Sequence, residues 1–244
     1  MLNWFFKREK ELDPIDFSVL ETDMHSHFIP GIDDGSPDME TSIFLINKMK
    51  GLGYTKLITS PHVMSDCYQN TSASILDALK HVKLSLNKAC VDIDIDAVAE
   101  YYIDFDFESK IGKEKYLTFG DNYILVECSF IYPPQNFFDI IFKLQLEGYK
   151  VVLAHPERYS YFSMKDYKKL VRKGVFLQIN LLSIIGYYSL EIKKKTEELI
   201  NQDLVSFVGS DCHHIKHLDL YHKCYTKESW HMLVNSGNLL NDTL

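Results

Sequence analysis

Short apolar segments rich in β-branched and aromatic residues alternate with longer amphipathic segments from about residue 20 onward. The short segments are typical of buried strands, and the amphipathic segments are typical of helices that pack on them. Seven strands are predicted: Val19–Met24, Lys56–Ser60, Asp92–Ala99, Tyr123–Glu127, Val151–Ala154, Val175–Ile179 and Val205–Gly209. The regular alternation of strand and helix indicates the α/β class.

The helical segments between these strands carry recognisable boundary signals. Pro37 is placed for the first turn of a helix that ends near Gly51, with Ser36 as its N-cap. Helices are predicted over Pro37–Gly51, Ser72–Ala89, Pro134–Leu146, Lys165–Lys173, Leu190–Asn201 and Lys227–Asn235. Seven strand-then-helix units with right-handed crossovers close most simply into a distorted TIM-like (β/α)7 barrel. An open doubly wound sheet is the alternative.

Length and charge narrow the class of protein further. A chain of 244 residues, 46% of them hydrophobic, is long enough for one large domain with a complete core. We predict an N-terminal extension over residues 1–20 and a single domain over residues 21–244. The formal net charge of −8, from 26 basic and 34 acidic residues, argues against a nucleic-acid partner, which needs clustered Lys and Arg.

The cysteines and the N-terminal residues indicate the compartment. The five cysteines form an odd set without a CxxC pair, which favours free thiols in a reducing cytoplasm over disulfides or a zinc ribbon. Neither a signal peptide nor an apolar stretch long enough to cross a membrane is apparent. The prediction is a cytoplasmic protein without stable membrane insertion, and its oligomeric state is left open.

Metal-capable side chains follow the predicted strands at their carboxyl ends. In a β/α barrel these ends converge on one face, so residues remote in sequence become neighbours there. Asp33 and Asp34, in the loop after the first strand, extend the same rim. The residues that follow the strands are His25, His27, His62, Glu100, Glu127, His155, Asp211 and His213.

The carboxylates among these residues favour a metal site over a set of ordinary polar loop residues. Glu127 closes the apolar run Tyr-Ile-Leu-Val, and a carboxylate there is costly to bury without a compensating cation. Glu100 ends a similar run, and two converging carboxylates repel each other unless positive charge lies between them. His25 and His27 are two residues apart, so they point the same way from a strand end. We predict two or three divalent ions of Mn²⁺, Fe or Zn²⁺.

Seven segments, in order, carry a resemblance to a known family. They are Asp23–His27, Pro30–Gly35, Thr59–His62, Ala99–Glu100, Leu125–Glu127, Ala154–Tyr159 and Gly209–His213. The chain resembles the PHP (polymerase and histidinol phosphatase) superfamily, and within it the manganese-dependent bacterial protein-tyrosine phosphatases of capsule and exopolysaccharide loci. The resemblance covers nearly the whole chain from about Asp23.

The resemblance implies a PHP-type barrel with a three-metal centre, Mn²⁺ being favoured, and a specific set of residues. Arg158 is expected to contact the substrate phosphate, and the alternative is a surface ion pair with Glu157. Tyr68 fits a substrate-side loop, and the alternative is an ordinary exposed aromatic residue. The implied metal ligands are His25, His27, Asp34, His62, Glu100, Glu127, His155, Asp211 and His213.

One loop departs from the family pattern. His214 stands where family members usually carry Asn, and the Arg that often follows is absent. Lys216 or His217 is a candidate for the missing positive charge, or both are solvated loop residues. Phosphate affinity and substrate choice are the properties that this departure affects.

The expected reaction is hydrolysis of a phosphate monoester by a metal-activated hydroxide. Asp34 is either a ligand or the acid and base that handles protons. A cysteine-based tyrosine phosphatase is excluded, because none of the five cysteines has Arg six positions later.

The resemblance implies that the substrate is a phosphotyrosine protein, in particular the tail of a bacterial tyrosine kinase that controls capsular or exopolysaccharide synthesis. The alternatives are a small-molecule phosphatase such as histidinol-phosphate phosphatase, or a catalytically weak, metal-stabilised scaffold of polysaccharide export. Nuclease activity of the PHP type is disfavoured by the acidic charge.

Overall fold

A computed structural model describes residues 12–244, and its parallel strands curl into a distorted barrel. The described strands are β1 Thr22–Asp23, β2 Lys56–Thr59, β3 His62–Val63, β4 Asp94–Ala97, β5 Glu100–Tyr102, β6 Tyr123–Glu127, β7 Lys150–Ala154, β8 Phe176–Asn180 and β9 Phe207–Gly209. They form two sheets, in the orders β1-β2-β4 and β3-β5-β6-β7-β8-β9. The predicted strands Lys56–Ser60 and Asp92–Ala99 correspond to β2 and β4, and each is followed after a short interruption by a further strand, β3 or β5, that was not predicted.

Hydrogen bonds between the two sheets complete the barrel. Across the interruptions, the amide of Val98 donates to the carbonyl of Thr59 at 2.9 Å, and the amide of Glu100 donates to the carbonyl of Pro61 at 3.1 Å. At the other seam, Ser26 and Cys212 form a parallel bridge, and the Asp211 amide donates to the His25 carbonyl at 2.8 Å. The predicted barrel is therefore confirmed, and the open doubly wound sheet is wrong.

The helices cover the outside of the barrel. Their bounds are α1 Met39–Gly51, α2 Ser72–Lys88, α3 Phe105–Lys110, α4 Phe137–Leu146, α5 Met164–Arg172, α6 Leu181–Ile184, α7 Leu190–Asn201, α8 Ile215–Tyr221 and α9 Glu228–Asn235. The bounds of α7 are those predicted, whereas the short α3, α6 and α8 were not predicted. Ser36 as the N-cap of α1 is wrong, because the side chain of Asp38 caps this helix by accepting from the Thr41 amide at 2.8 Å. None of the helices within residues 12–244 is long and apolar enough to cross a membrane.

The first predicted strand is wrong in its N-terminal half. Phe17–Leu20 forms a 3-10 helix, which begins where the Asp16 side chain accepts from the Ser18 amide. The buried Phe17 ring packs edge-to-face on Trp230, with 5.3 Å between ring centroids, and the indole of Trp230 donates to the Ile15 carbonyl at 2.9 Å. The described part of the predicted extension thus packs on the barrel. Residues 1–11 lie outside the described part, and the domain boundary at residue 20 stays a prediction.

The barrel interior is filled with apolar side chains below the strand ends. On β6, Leu125 faces the interior while Ile124 and Val126 face the helices, so the strand is buried on both sides. Leu240 and Leu244 pack against the interior cluster from the C-terminal segment. This end of the barrel is therefore closed by apolar packing, whereas the opposite end is lined mainly by polar side chains.

Asn241 connects β1 with β9 and offers a test of barrel closure. Its side chain is fully buried, donates to the carbonyls of Thr22 at 3.0 Å and Val208 at 2.8 Å, and accepts from the Val208 amide at 3.0 Å. Asn241→Ala leaves these backbone groups without partners and should lower the free energy of unfolding by about 3 kcal/mol. Urea denaturation measures the loss, with the exposed Asn238→Ala as control; equal stability of the two variants would contradict this role.

Candidate metal centre

All nine side chains predicted as metal ligands lie at one end of the barrel. His25 and His27 follow β1, Glu127 ends β6, His155 follows β7, and Asp211 and His213 follow β9, while Asp34 lies in the loop after β1. His62 and Glu100 instead begin β3 and β5, because their strands are interrupted just before them. These residues therefore lie together at the carboxyl-terminal end of the barrel, as predicted.

Glu100 lies in the centre of the cluster, fully buried among histidines. One carboxylate oxygen is 3.1 Å from His25 Nε2 and 3.2 Å from His62 Nδ1, and the other is 2.8 Å from His155 Nε2. Burial by itself raises the pKa of this carboxyl group, but the attraction of His25 and His62 outweighs burial and holds the pKa well below its usual value. Glu100 is therefore an anion at the point where several imidazoles converge.

His25 and His27 direct their Nε2 atoms toward each other at a separation of 3.3 Å. Both atoms are 3.5 Å from the same oxygen of Asp211. Burial lowers the pKa of His25, but Glu100 and Asp211 outweigh it and raise the pKa to about 9. Such carboxylates attract positive charge into the cluster, whether the charge is a proton or a metal ion.

Asp34 extends the cluster toward solvent. Its Oδ1 atom is 3.5 Å from the Nε2 atoms of both His62 and His213, and 54% of its side chain is exposed. The hydrogen-bonding interaction with His213 is the main cause that lowers the pKa of Asp34 to about 2. The carboxylate is therefore ionised near neutral pH, which suits a ligand better than a proton donor.

The donor atoms form three overlapping groups that fit metal ions. Within each group the candidate atoms lie within 4.8 Å of one another. The Nδ1 atom of His155 is buried without a hydrogen-bond partner. The Nδ1 atom of His62 is 2.9 Å from Glu127 Oε1, but it makes no contact with the geometry of a hydrogen bond. Imidazole nitrogens and carboxylate oxygens are the ligands that such metals use. The groups are His27 with Asp34, His62 and His213; His25 with His27 and Glu100; and His62 with Glu100 and Glu127.

Backbone geometry helps to direct two of these side chains. His155 and Asp211 have φ angles of 34° and 52°, in the left-handed region that residues other than glycine rarely occupy. Such strain is often retained at functional sites. Gly209 allows β9 to approach β1, because a Cβ atom on it would lie 2.6 Å from His25 Cβ. The close approach of these two strands brings Asp211 against the histidine pair.

A layer of polar residues behind the cluster orients its members. Asp33 Oδ2 accepts from His27 Nδ1 at 2.8 Å, and Gln178 Oε1 accepts from His25 Nδ1 at 2.8 Å. These bonds hold a proton on Nδ1, so that Nε2 is the ring nitrogen that faces the cluster. Asn180 donates to Asp211 Oδ2 at 2.6 Å. The sequence placed Asp33 on the rim but did not predict these orienting roles, for which the two-residue spacing of Gln178 and Asn180 on β8 was the available signal.

Arg158 lies at the mouth of the cluster between two aromatic rings. Its guanidinium carbon is 4.1 Å from the ring centroid of Phe130 and 4.7 Å from that of Tyr188, and its Nη1 atom is 3.6 Å from Asp211 Oδ2. The alternative of an ion pair with Glu157 is wrong. Glu157 is buried, and its Oε1 atom accepts from the Asn180 amide and the Ser183 hydroxyl.

The loop that departs from the family pattern supplies aromatic rings rather than a cation. His214 lines the mouth and packs on His217 with 3.9 Å between ring centroids. Burial, together with His214, lowers the pKa of His217 to about 4, so its ring is neutral near neutral pH. Lys216 is exposed and is not among the residues that line the mouth. The Tyr68 ring stacks on His62 at 5.6 Å, beside the mouth.

The role of Asp33 can be tested by its effect on metal affinity. Removing the carboxylate in Asp33→Ala frees His27 to rotate and should weaken binding of Mn²⁺ by about 10- to 100-fold, as is typical for residues that orient ligands. Isothermal titration of metal-stripped protein measures this change. Asp66→Ala, an exposed aspartate on the neighbouring loop, should bind Mn²⁺ as the unmodified protein does. Equal affinity of both variants would show that Asp33 does not orient His27.

The family model and the similar proteins of known name point to the same family. The family model described as capsular polysaccharide synthesis, CpsB/CapC, matches residues 21–225. The tyrosine-protein phosphatase YwqE of Bacillus subtilis (strain 168) is 30% identical over 197 residues, which cover 80% of this chain and 78% of YwqE. The tyrosine-protein phosphatase CpsB of Streptococcus pneumoniae is 25% identical over 201 residues, covering 79% of this chain and 83% of CpsB.

Solved structures agree with this relationship. A structure from a study of YwqE from B. subtilis and CpsB from S. pneumoniae, described as unique metal-dependent tyrosine phosphatases, superimposes with a TM-score of 0.77 and 28% identity, covering 87% of this chain and 90% of that one. An amidohydrolase from Mycoplasma synoviae, with a TM-score of 0.52 and 11% identity, covering 88% of this chain and 80% of that one, shares the fold alone. This protein belongs to the CpsB/CapC family of capsular polysaccharide synthesis.

Proposed function

We propose that this protein is a metal-dependent protein-tyrosine phosphatase acting on a bacterial tyrosine kinase that controls capsular or exopolysaccharide synthesis. The observation that carries the proposal is the cluster of nine metal-capable side chains at one barrel end, six of them buried, in a chain whose relatives are named tyrosine-protein phosphatases. The family description supports the link to capsule synthesis. We also propose that the protein is cytoplasmic, where the tail of such a kinase would be its substrate.

The nine side chains are proposed to hold two or three divalent ions. Glu100 would serve more than one ion, because its two oxygens face different histidines. Mn²⁺ is the proposed ion, and Fe or Zn²⁺ are alternatives with the same preference for imidazole and carboxylate. When bound, such ions neutralise phosphoryl oxygens and lower the pKa of water. The ligands proposed are His25, His27, Asp34, His62, Glu100, Glu127, His155, Asp211 and His213.

Arg158 is proposed to bind the substrate phosphate. The rings of Phe130 and Tyr188 lie on the guanidinium, so its orientation is largely fixed before a substrate arrives. A guanidinium offers paired donors that match two phosphate oxygens, and prior fixation reduces the entropy lost on binding. Arg158 Nη1 is 3.6 Å from Asp211 Oδ2, so a phosphate bound to Arg158 would lie beside the proposed metal ligands.

Asp34 is proposed to act as a ligand rather than as the acid that protonates the leaving oxygen. Its lowered pKa leaves it ionised, and its Oδ1 atom is equally distant from His62 and His213. The carboxylate is half-exposed, so water can reach it. Water rather than Asp34 would then carry the proton to the leaving oxygen.

The first experiment compares three preparations of the enzyme on two substrates. Metal-stripped protein, protein given Mn²⁺ and the His25→Ala/His27→Ala variant given Mn²⁺ are assayed for phosphate release from a phosphotyrosine peptide and from histidinol phosphate. We expect Mn²⁺-dependent release from the peptide, and a loss of at least about a hundredfold in the variant because two ligands are missing. His81→Ala/His222→Ala, which removes two exposed histidines, is the matched control.

Other outcomes of this experiment identify the competing functions. Preference for histidinol phosphate would favour a small-molecule phosphatase. Metal binding without turnover of either substrate would favour a scaffold of polysaccharide export. Unchanged turnover in the His25→Ala/His27→Ala variant would remove the proposed site altogether.

Arg158 gives a separate prediction about substrate handling. Arg158→Ala should lower kcat/KM for the phosphotyrosine peptide by about 100-fold, which is typical when a group that stabilises charge in the transition state is lost. Arg158→Lys should recover only part of this loss, because it keeps the charge without the paired donors. Metal content, measured by elemental analysis, should stay constant in both variants and in the exposed control Arg172→Ala. Loss of metal would mean that Arg158 supports the cluster instead.

A further inference from the structure

The mouth of the cluster contains one apolar side chain that neither metal binding nor phosphate binding requires. The cavity there has a volume of about 250 Å³. Among the described residues that line it, Phe130 is the single side chain without a polar group. A cavity built only to hold ions and phosphate has no need of an apolar surface, because both ligands are charged.

Phe130 is held in place and yet partly free to bind. One face of its ring lies 4.1 Å from the guanidinium of Arg158, and its centroid is 5.6 Å from that of His155 and 5.9 Å from that of Tyr159. The hydroxyl of Tyr161 donates to the carbonyl of Ser129 at 2.7 Å, which fixes the backbone just before the ring. Even so, 42% of Phe130 is exposed. The exposed part is an apolar surface at the entrance to a polar site.

The other aromatic ring on Arg158 does not offer such a surface. Tyr188 packs on the guanidinium at 4.7 Å, and its hydroxyl is hydrogen-bonded to Asp211 at 3.3 Å and to Asn180 at 3.2 Å. Tyr188 therefore belongs to the polar network around Asp211. Phe130 has no hydroxyl to orient, and its ring packs on the guanidinium that is proposed to bind the phosphate.

We propose that Phe130 is a specificity-determining residue that packs against the aromatic ring of phosphotyrosine and so selects aryl over alkyl phosphate monoesters. This inference rests on the proposed function. The phenyl ring of phosphotyrosine is attached directly to the ester oxygen, so a phosphate on Arg158 carries the ring to the entrance where Phe130 lies. An aromatic pair adds attraction beyond the buried area alone. The side chain of phosphoserine is too short to reach this surface with an apolar group.

The test measures binding rather than turnover, so that it does not depend on catalysis. Phenylphosphonate and methylphosphonate are titrated into Mn²⁺-loaded protein, and the ratio of their affinities is the readout. The unmodified protein should prefer phenylphosphonate, and Phe130→Ala should reduce that preference by about tenfold, the size expected for one aromatic contact. Methylphosphonate affinity should fall less than phenylphosphonate affinity, because only the contact of Phe130 with Arg158, and no ring contact, is lost for this ligand. Phe130→Tyr keeps a ring and should retain the preference.

Tyr132→Ala is the matched control, because Tyr132 is in the same loop and 75% exposed but does not line the cavity. It should preserve the preference for phenylphosphonate. Equal loss of both ligands in Phe130→Ala would overturn the proposal and leave Phe130 as a support for Arg158. An unmodified protein without preference for phenylphosphonate would also overturn it. If the proposed function is wrong, the unmodified protein does not release phosphate from phosphotyrosine. The ratio of phenylphosphonate to methylphosphonate affinity tests the role of Phe130 independently of that result.

Discussion

The carboxylate of Glu100 has no contact with solvent and lies within 3.2 Å of imidazole nitrogens of His25, His62 and His155. A buried charge of this kind is tolerated only when opposite charge surrounds it. The histidines that supply this charge come from distant parts of the chain, and each must arrive in the correct orientation. Much of the remaining architecture satisfies this requirement, from the interruptions before β3 and β5 to the polar residues Asp33 and Gln178 behind the cluster.

The barrel meets the requirement by dividing the work between its two ends. Apolar side chains such as Leu125 and Leu244 fill the interior and close one end, and this packing fixes the strands. Side chains at the opposite end can then be polar, because their positions do not depend on packing with one another. Asp33 and Gln178 complete the arrangement by fixing the rotation of His27 and His25, which the strands alone do not determine.

The sequence predicted the barrel and the members of the cluster because both depend on local patterns. Apolar runs identify strands, and a His or Glu directly after such a run lies at a strand end whatever the details of the packing. The break before Glu100 and the cap at Asp38 were missed, because they depend on hydrogen bonds that a pattern of residue types does not specify. The relation of Phe130 to Arg158 was also missed, since it joins two loops whose paths are set by tertiary contacts.

The contact between Asn241 and Thr22 spans 219 residues, and it has a consequence for the order of events during synthesis. A ribosome releases β1 early, whereas Asn241, which binds β1 across the seam, emerges 219 residues after Thr22. This edge of β1 therefore stays without its partner while those residues are synthesised, and closure of the ring is a late, long-range step of folding. His25 and His27 are synthesised long before Asp211, so the cluster of proposed metal ligands is complete only once the ring has closed.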